Sequence, residues 1–197
     1  KHLFLIVMSI VSIYPVLWVV STAFTPGETL ATGWTLVLGF VPVPTSPTLE
    51  HLSFVFGWKD FGLWLTNSAL VTSSTVVATV AITLPAGYAL SRRNFPGRSQ
   101  AMFSFLLPQM FPGVVTIIPQ FLIFATLGLV NNYLGVIIPY TVSSLSLSVF
   151  IMKSAFDSVP KDLDEAAIID GASEFKAFRR ILVPLTLPHV ATVALWA

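Results

Sequence analysis

Three long stretches without any Asp, Glu, Lys or Arg constrain the fold of this chain most strongly. They cover Leu3–Phe24, Phe61–Ser91 and Ser99–Met152, which are about 22, 31 and 54 residues long. A helix needs about 20 predominantly apolar residues to cross the hydrocarbon core of a bilayer. The first two stretches are long enough for one span each, and the third is long enough for two. We therefore predict an all-α, polytopic membrane protein.

The composition of the chain supports this class and excludes several functions. Of its 197 residues, 55% are hydrophobic and 10% are charged, whereas a soluble domain carries roughly 25% charged residues. The absence of cysteine excludes disulfides and cysteine nucleophiles. The sequence has no clustered basic stripe for nucleic acid, no metal-ligand cluster and no Gly-rich phosphate loop with Lys. We expect no catalytic residue, bound metal, bound cofactor or nucleic-acid partner for this chain itself.

The third uncharged stretch is expected to contain a turn and an irregular helix. Its break should fall in the polar segment Gly128–Gly135, because glycine and asparagine mark turns. The helix before this turn contains four residues that disturb helices, Pro108, Pro112, Gly113 and Pro119. Irregular backbone at membrane depth is tolerated only where protein or a wet cavity surrounds it. We predict one membrane domain over residues 1–197, with spans at residues 3–24, 61–91, 100–127, 136–153 and 184–197.

The positions of the basic residues predict the orientation of these spans. Eight of the ten Lys and Arg residues fall at 92–98 and 153–180, and Lys1 lies on the same side if the spans alternate. Only Lys59 lies on the other side. Because basic residues favour the cytoplasmic side, we expect a cytoplasmic N-terminus. The expected loops are an extracytoplasmic one over residues 25–60 and a cytoplasmic one over residues 154–183.

The cytoplasmic loop has a pattern typical of two short helices that meet at a glycine. Asp162, Asp164 and Glu165 fill a first turn, where they oppose the positive end of the helix dipole. Gly171 supplies a left-handed stop, and Ser173 can cap the second helix. Helical spacing predicts two faces, one of Leu163, Ala166, Ala167 and Asp170 and one of Phe175, Phe178 and Ile181 or Leu182.

Such a corner, with an apolar side and an acidic rim, is suited to a groove in a soluble partner. The alternative is an amphipathic helix that lies on the lipid surface with its basic residues toward the headgroups. An acidic first helix is a poor match to an anionic leaflet, which favours docking to a protein.

The spacing of residues in this corner resembles the EAA loop of ABC-importer permeases. Glu165–Ala167 is followed after three residues by Gly171, after nine more by Ile181, and after one more by Val183–Pro184. The sequence departs from the family pattern at Val183, where the family has Leu. Three further segments resemble the carbohydrate branch, in particular the permease subunit of maltose-type importers: Asn67–Ser68, Phe95–Gly97 and Leu127–Gly135.

This resemblance implies the type I ABC importer permease fold in a bacterial or archaeal cytoplasmic (inner) membrane. It implies six spans, a second permease subunit, two ATP-binding cassette subunits that carry ATP and Mg²⁺, and an extracytoplasmic sugar-binding protein. Lys1 is not an initiator Met and Ala197 lies in an apolar run. We therefore expect the chain to be a fragment of a longer polypeptide, with the sixth span beyond Ala197.

The resemblance also assigns candidate residues. Those expected to couple the chain to the ATPase subunit are Leu163, Glu165, Ala166, Ala167, Asp170, Gly171, Ala172, Phe175 and Phe178. Asn67, Gln109, Gln120, Ser144 and Ser148 are weaker candidates for a sugar path. For these five, packing and hydrogen bonds between helices are the favoured alternative.

The substrate implied by the resemblance is maltose or maltodextrin. Trehalose, another sugar and glycerol phosphate remain alternatives within the family. An ion-coupled secondary transporter is the alternative from a different class. It is disfavoured because the interiors of the predicted spans carry no charged residue to bind or relay an ion.

Overall fold

The computed structural model describes residues 2–26, 34–37, 41–44, 46–58 and 60–197. Lys1 and Lys59, which entered the orientation argument, lie outside the described residues, as do parts of the expected loop over 25–60. The chain divides into two compact units, Lys1–Thr66 and Asn67–Ala197. That both belong to one membrane domain stays a prediction. The boundary falls inside one continuous helix, Phe61–Arg92.

The first unit contains helix α1 (His2–Ala23), a β-hairpin of β1 (Trp34–Val37) and β2 (Val41–Pro44), and helix α2 (Glu50–Gly57). The hairpin is antiparallel and was not predicted, since its sequence is rich in proline. Pro42 and Pro44 are two residues apart, so both imide nitrogens point to the same side of β2, and that side can be the free edge. The loop returns to the end of α1, where the Thr48 N–H donates to the Phe24 carbonyl at 2.9 Å.

The second unit is helical throughout. Its elements, with the helix that enters it, are α3 (Phe61–Arg92), α4 (Arg98–Leu106), a 3₁₀ turn (Leu107–Met110), α5 (Gly113–Thr126), α6 (Leu134–Ser158), α7 (Asp162–Ile169), α8 (Glu174–Ala177), a π-helical turn (Phe178–Leu182), α9 (Val183–Leu185) and α10 (Leu187–Trp196). The all-α class is confirmed, with the small hairpin as its one addition among the described residues.

Three described helices are long and apolar enough to cross a membrane, namely Phe4–Ala23, Phe61–Arg92 and Leu134–Ser158. Two bent pairs of helices meet the same criterion when each pair is taken together. The pair Arg98–Met110 and Gly113–Thr126 bends by 100°, and the pair Glu174–Leu185 and Leu187–Trp196 bends by 74°. The count is therefore three to five candidate spans in the described part of the chain.

Helices α3 and α6 run parallel with their residues in register. The Tyr133 hydroxyl donates to Asn67 Oδ1 at 2.7 Å near one end of the pair, and the Ser91 hydroxyl donates to Asp157 Oδ1 at 2.6 Å near the other. Both contacts join residues 66 positions apart. Between these ends Gly87 lies against α6, where an added Cβ would stand 2.7 Å from the Met152 Cβ.

Parallel neighbours require the intervening chain to return along their full length. Residues 98–126 begin beside the end of α3, where Arg98 Nε donates to the Leu90 carbonyl at 2.8 Å. The chain next reaches Tyr133 beside Asn67, at the opposite end of α3. The bent pair α4–α5 is therefore one broken crossing rather than a re-entrant loop.

Proline explains where this crossing breaks. Pro108 lies in the 3₁₀ turn, and Pro112 directly precedes α5. Proline has no N–H to donate and its ring clashes with the preceding turn, so these two residues, four positions apart, weaken the α-helical hydrogen-bond ladder where the crossing breaks. The sequence predicted an irregular span here, and the structure shows two helices at a large angle instead of one distorted helix.

The core lies where α3, α6, the π-helical turn and α10 meet. Met152, Phe156, Leu182 and Val193 are at most 1% exposed there, with Tyr88 packed against them. Small hydroxylated residues line the buried sides of both long helices: Thr75, Thr79 and Thr83 on α3 and Thr141, Ser144, Ser146 and Ser148 on α6. Small side chains let membrane helices approach closely.

Replacing Gly87 with Val tests the close contact between α3 and α6. The added side chain meets Met152 and the Lys153 backbone, and such overpacking costs about 1–3 kcal/mol. We expect the free energy of unfolding, measured by denaturant titration in mixed micelles, to fall by that amount. Gly62→Val in the same helix is the control, because nothing lies within 4 Å of an added Cβ there. Equal stability of both variants would contradict the packing described.

Candidate functional site

The predicted corner is present between α7 and α8. Gly171 has a φ of +82° and ends α7. Its N–H donates to the Ile168 carbonyl at 3.0 Å, and the Ala172 N–H donates to the Ala167 carbonyl at 2.9 Å. This pair of bonds is the Schellman motif, so the predicted left-handed stop is confirmed. The predicted cap of the second helix is confirmed as well, since Ser173 Oγ accepts from the Lys176 N–H at 3.3 Å.

One side of the corner exposes large apolar side chains beside acidic ones. Ile169 is 85% exposed and Phe175 is 69% exposed. We define the corner face as these two residues with the exposed neighbours Leu163, Glu165, Ala166 and Asp170. An exposed apolar group with a charged rim is typical of an interaction site.

The four residues that were predicted to share one face of α7 differ in exposure. Ala167 was placed with Leu163, Ala166 and Asp170, but it is 6% exposed and turned inward. The cause is the rotation of the helix about its axis. Asp164 lies one turn earlier on the same side, and it is drawn inward by an ion pair with Arg92 at the end of α3. Ile169, which the sequence analysis did not select, takes the place of Ala167 on the exposed side.

Phe178 also lies apart from the corner face. Its ring centre is 4.8 Å from that of Tyr88 and 6.0 Å from that of Phe156, and it packs on the buried core. Phe175, its predicted companion in one stripe, is 69% exposed, and its ring centre lies 6.3 Å from that of Phe178. The predicted pair is therefore present, and only beyond Phe178, where a π-helical turn begins, does the spacing depart from that of an α-helix. Ala172 is half-buried beside the glycine stop.

Arg92, the last residue of α3, holds the corner in place, a role that the sequence analysis missed. Arg92 forms its ion pair with Asp164 at 2.7 Å, and its Nη2 donates to the Val159 carbonyl at 2.7 Å. Arg93 pairs with Glu174 in the first turn of α8. The sequence showed these arginines only as basic residues near a membrane. Their partners are more than 60 residues away along the chain, so no local pattern identifies them.

A cleft of about 210 Å³ lies between the end of α3 and the corner. Arg92, Arg93, Lys161, Asp164, Glu165 and Glu174 contribute its charged lining. Asp164 and Glu174 are each paired with an arginine. Of the acidic residues that line the cleft, Glu165 is the one without an ion pair to another described residue. It is therefore available to a cation from outside the chain.

The candidates for a sugar path lie at separate places in the second unit. Asn67 binds the Tyr133 hydroxyl at the end of α3, and Gln109 lies exposed in the 3₁₀ turn. Gln120 lines a cavity of about 700 Å³ between the broken crossing and α6. Ser144 donates to the Tyr140 carbonyl within its own helix, and Ser148 is fully buried. For the two serines this placement favours helix packing over sugar contact.

Comparison with known proteins identifies the family. Residues 80–197 match the family described as the binding-protein-dependent transport system inner membrane component. The chain is 34% identical to the galactooligosaccharides transport system permease protein of Bacillus subtilis (strain 168), over 99% of this chain and 68% of that protein. It is 35% identical to the maltodextrin transport system permease protein of the same organism, over 100% of this chain and 68% of that protein.

A solved structure supports the same family. The fold matches the crystal structure of a bacterial ABC transporter involved in the import of the acidic polysaccharide alginate, with a TM-score of 0.80 and 25% identity. That match covers 98% of this chain and 66% of the other, so the chain spans about two thirds of the length of these proteins. The chain belongs to the inner-membrane permease components of binding-protein-dependent ABC importers, in the branch that transports sugars, and is a membrane-embedded transport subunit rather than an enzyme.

Proposed function

We propose that this chain is the membrane-spanning subunit of an ATP-driven oligosaccharide importer and that its corner face docks on an ATP-binding cassette subunit. The observation that carries the docking proposal is the exposure of Ile169 and Phe175, at 85% and 69%, on a rigid and acidic corner. The Schellman stop and the contacts of Arg92 fix this corner against the end of α3. A preformed apolar surface costs little conformational entropy on binding.

The charges of the corner favour a protein partner over lipid. Asp162, Glu165 and Asp170 are exposed on α7, and an anionic leaflet repels them. Glu165 has no ion-pair partner in the described part of the chain, whereas its neighbour Asp164 is paired. A basic side chain of the cassette subunit can occupy the cleft beside Glu165. Charge-assisted contacts of this kind add specificity to an apolar interface.

In the proposed importer this chain pairs with a second permease, and two cassette subunits bind ATP with Mg²⁺. An extracytoplasmic binding protein delivers the sugar, and the N-terminus of the chain lies in the cytoplasm. Closure of the cassettes displaces the corner as a rigid body. Because the corner continues directly into α6 and α10, its displacement tilts these helices and opens the path alternately to each side of the membrane.

The substrate proposed first is a maltodextrin or maltose. One relative at 35% identity is a maltodextrin permease, while others are permeases for galactooligosaccharides and for trehalose. Trehalose, another sugar and glycerol phosphate are therefore the alternatives. The test is the complete importer in proteoliposomes, screened for sugars that stimulate ATP hydrolysis through the binding protein. Stimulation by maltodextrins supports the first proposal, and stimulation by another sugar alone replaces it.

An ion-coupled secondary transporter remains the alternative mechanism from a different class, and membership of a binding-protein-dependent family disfavours it. The two mechanisms differ in their energy source. We expect uptake to require ATP and the binding protein. Uptake that is driven by a proton or sodium gradient without ATP would contradict the importer.

Replacing Ile169 with Asp tests docking at the corner face. The substitution places a charge where the proposed interface is apolar, and burial of an unpaired charge is strongly unfavourable. We expect co-purification of the cassette subunit with the permease complex to fall at least about tenfold. Lys176→Ala on α8 is the control, because Lys176 is exposed but lies outside the corner face. Normal recovery of the cassette with Ile169→Asp would refute this docking surface.

Substitutions at Gly171 test whether the corner must keep its shape. An L-residue at a φ of +82° costs roughly 1 kcal/mol or more, and asparagine tolerates this conformation best. Nothing lies within 4 Å of an added Cβ, so none of the variants introduces a steric clash at Cβ, and proline additionally removes the N–H that donates to the Ile168 carbonyl. We expect ATP-dependent sugar uptake to fall in the order Gly171→Asn, Gly171→Asp and Gly171→Pro, with membrane insertion intact. Equal uptake by the asparagine and proline variants would contradict a rigid corner.

A further inference from the structure

Arg92 connects α3 to the end of α6 and to α7, which lie more than 60 residues later in the sequence. It is the last residue of α3, its Nη2 donates to the carbonyl of Val159 just after α6, and its Nε lies 2.7 Å from Asp164 Oδ2 on α7. The side chains of Arg92 and Asp164 are 7% and 17% exposed. Removal of either partner from so buried a pair leaves an uncompensated charge.

The geometry of this pair is incomplete in the present conformation. The Nε–H group of Arg92 is not directed at Asp164 Oδ2, so the 2.7 Å contact is an ion pair without a hydrogen bond. The second oxygen, Asp164 Oδ1, is buried and has no hydrogen-bond partner among the described residues. A displacement of α7 relative to α3 therefore changes the energy of this contact. The contact becomes stronger if the groups move into hydrogen-bonding geometry and weaker if they move apart.

The neighbouring ion pair provides a contrast. Arg93 and Glu174 also connect the end of α3 to the corner, but their side chains are 57% and 53% exposed. Exposed ion pairs contribute little, because water and salt screen them. Of the two arginine contacts, the buried contact of Arg92 is therefore the better suited to transmit a displacement of α7 to α3.

The rotation of α7 depends on the same contact. Asp164 faces inward toward Arg92, and Ala167, three residues later, is buried on the same side. Ile169 consequently faces outward on the corner face. Arg92 thus contacts the inward side of α7, away from Ile169 on the corner face, and links this helix to α3.

We propose that Arg92 is a positioning residue of the transport cycle, which transmits the displacement of α7 to α3 through Asp164. Because α3 packs on α6 without space at Gly87, the two helices then move as one body. This inference rests on the proposed docking of the corner to an ATPase, and it adds α3 to the helices that the corner moves. Without the Arg92 contact, the corner acts on α3 only indirectly, through the packing of α3 on α6, and the path opens incompletely.

The test measures sugar imported per ATP hydrolysed by the complete importer in proteoliposomes, together with retention of the cassette subunit. For Asp164→Asn and Arg92→Gln we expect this ratio to fall at least about tenfold, within the usual range of coupling energies, while the cassette remains bound. Arg93→Gln and Glu174→Gln are the matched controls, with ratios within about twofold of the original because their pair is exposed.

A charge exchange separates positioning from folding. The double variant Arg92→Asp with Asp164→Arg restores the pair in reverse, and we expect it to recover at least about a third of the lost ratio, as coupled sites do in double-mutant cycles. An unchanged ratio in Asp164→Asn, loss of the cassette, or no recovery in the double variant would each overturn the role of Arg92. Absence of ATP-dependent sugar import by the unmodified importer would instead overturn the proposed function.

Discussion

Close contact between α3 and α6 is the constraint on which the second unit depends. Gly87 permits it, because any side chain at this position would collide with Met152. The contact makes two long helices parallel and in register, which forces the chain between them to return as a broken crossing. It also places the end of α3 beside residues 157–164, where the polar contacts to the corner form.

These polar contacts hold the corner against the end of α3. Ser91 binds Asp157, Arg92 binds the Val159 carbonyl and Asp164, and Arg98 binds the carbonyl of Leu90. The three hydrogen bonds among these contacts satisfy groups that the end of a helix or a buried side chain would otherwise leave unpaired. The corner therefore rests on α3 and α6 together, and its exposed side is held in one orientation.

Much of this organisation follows from the sequence alone. Uncharged runs of sufficient length predict the all-α membrane class, and Gly171 and Ser173 predict the end of α7 and the start of α8 because both act through local hydrogen bonds. The spacing from Glu165 to Pro184 indicates the family. In each case the information lies within a few turns of chain, where short-range geometry decides the structure.

The remaining features depend on contacts that no local pattern contains. Helical spacing places Ala167 near the exposed face, but the ion pair of Asp164 with Arg92 rotates α7 and buries it. The Phe175 and Phe178 rings lie together as the spacing predicted, but the π-helical turn that begins at Phe178 was not expected. The β-hairpin was missed because prolines obscured a short strand. Of these features, the contact of Asp164 with Arg92 bears most directly on the corner face.

The most direct test of the account is site-specific crosslinking from the corner in the complete importer. Residues 1–197 contain no cysteine, so Ile169→Cys, Phe175→Cys and Ala177→Cys each introduce one thiol into this segment, in an importer whose other cysteines are replaced. Ile169 and Phe175 are exposed and Ala177 is 3% exposed. The account predicts that a thiol-directed crosslinker joins the first two variants, but not the third, to the ATP-hydrolysing subunit, with a yield that changes when ATP is added. Failure of both exposed positions to capture that subunit, while the importer remains active, would contradict the account.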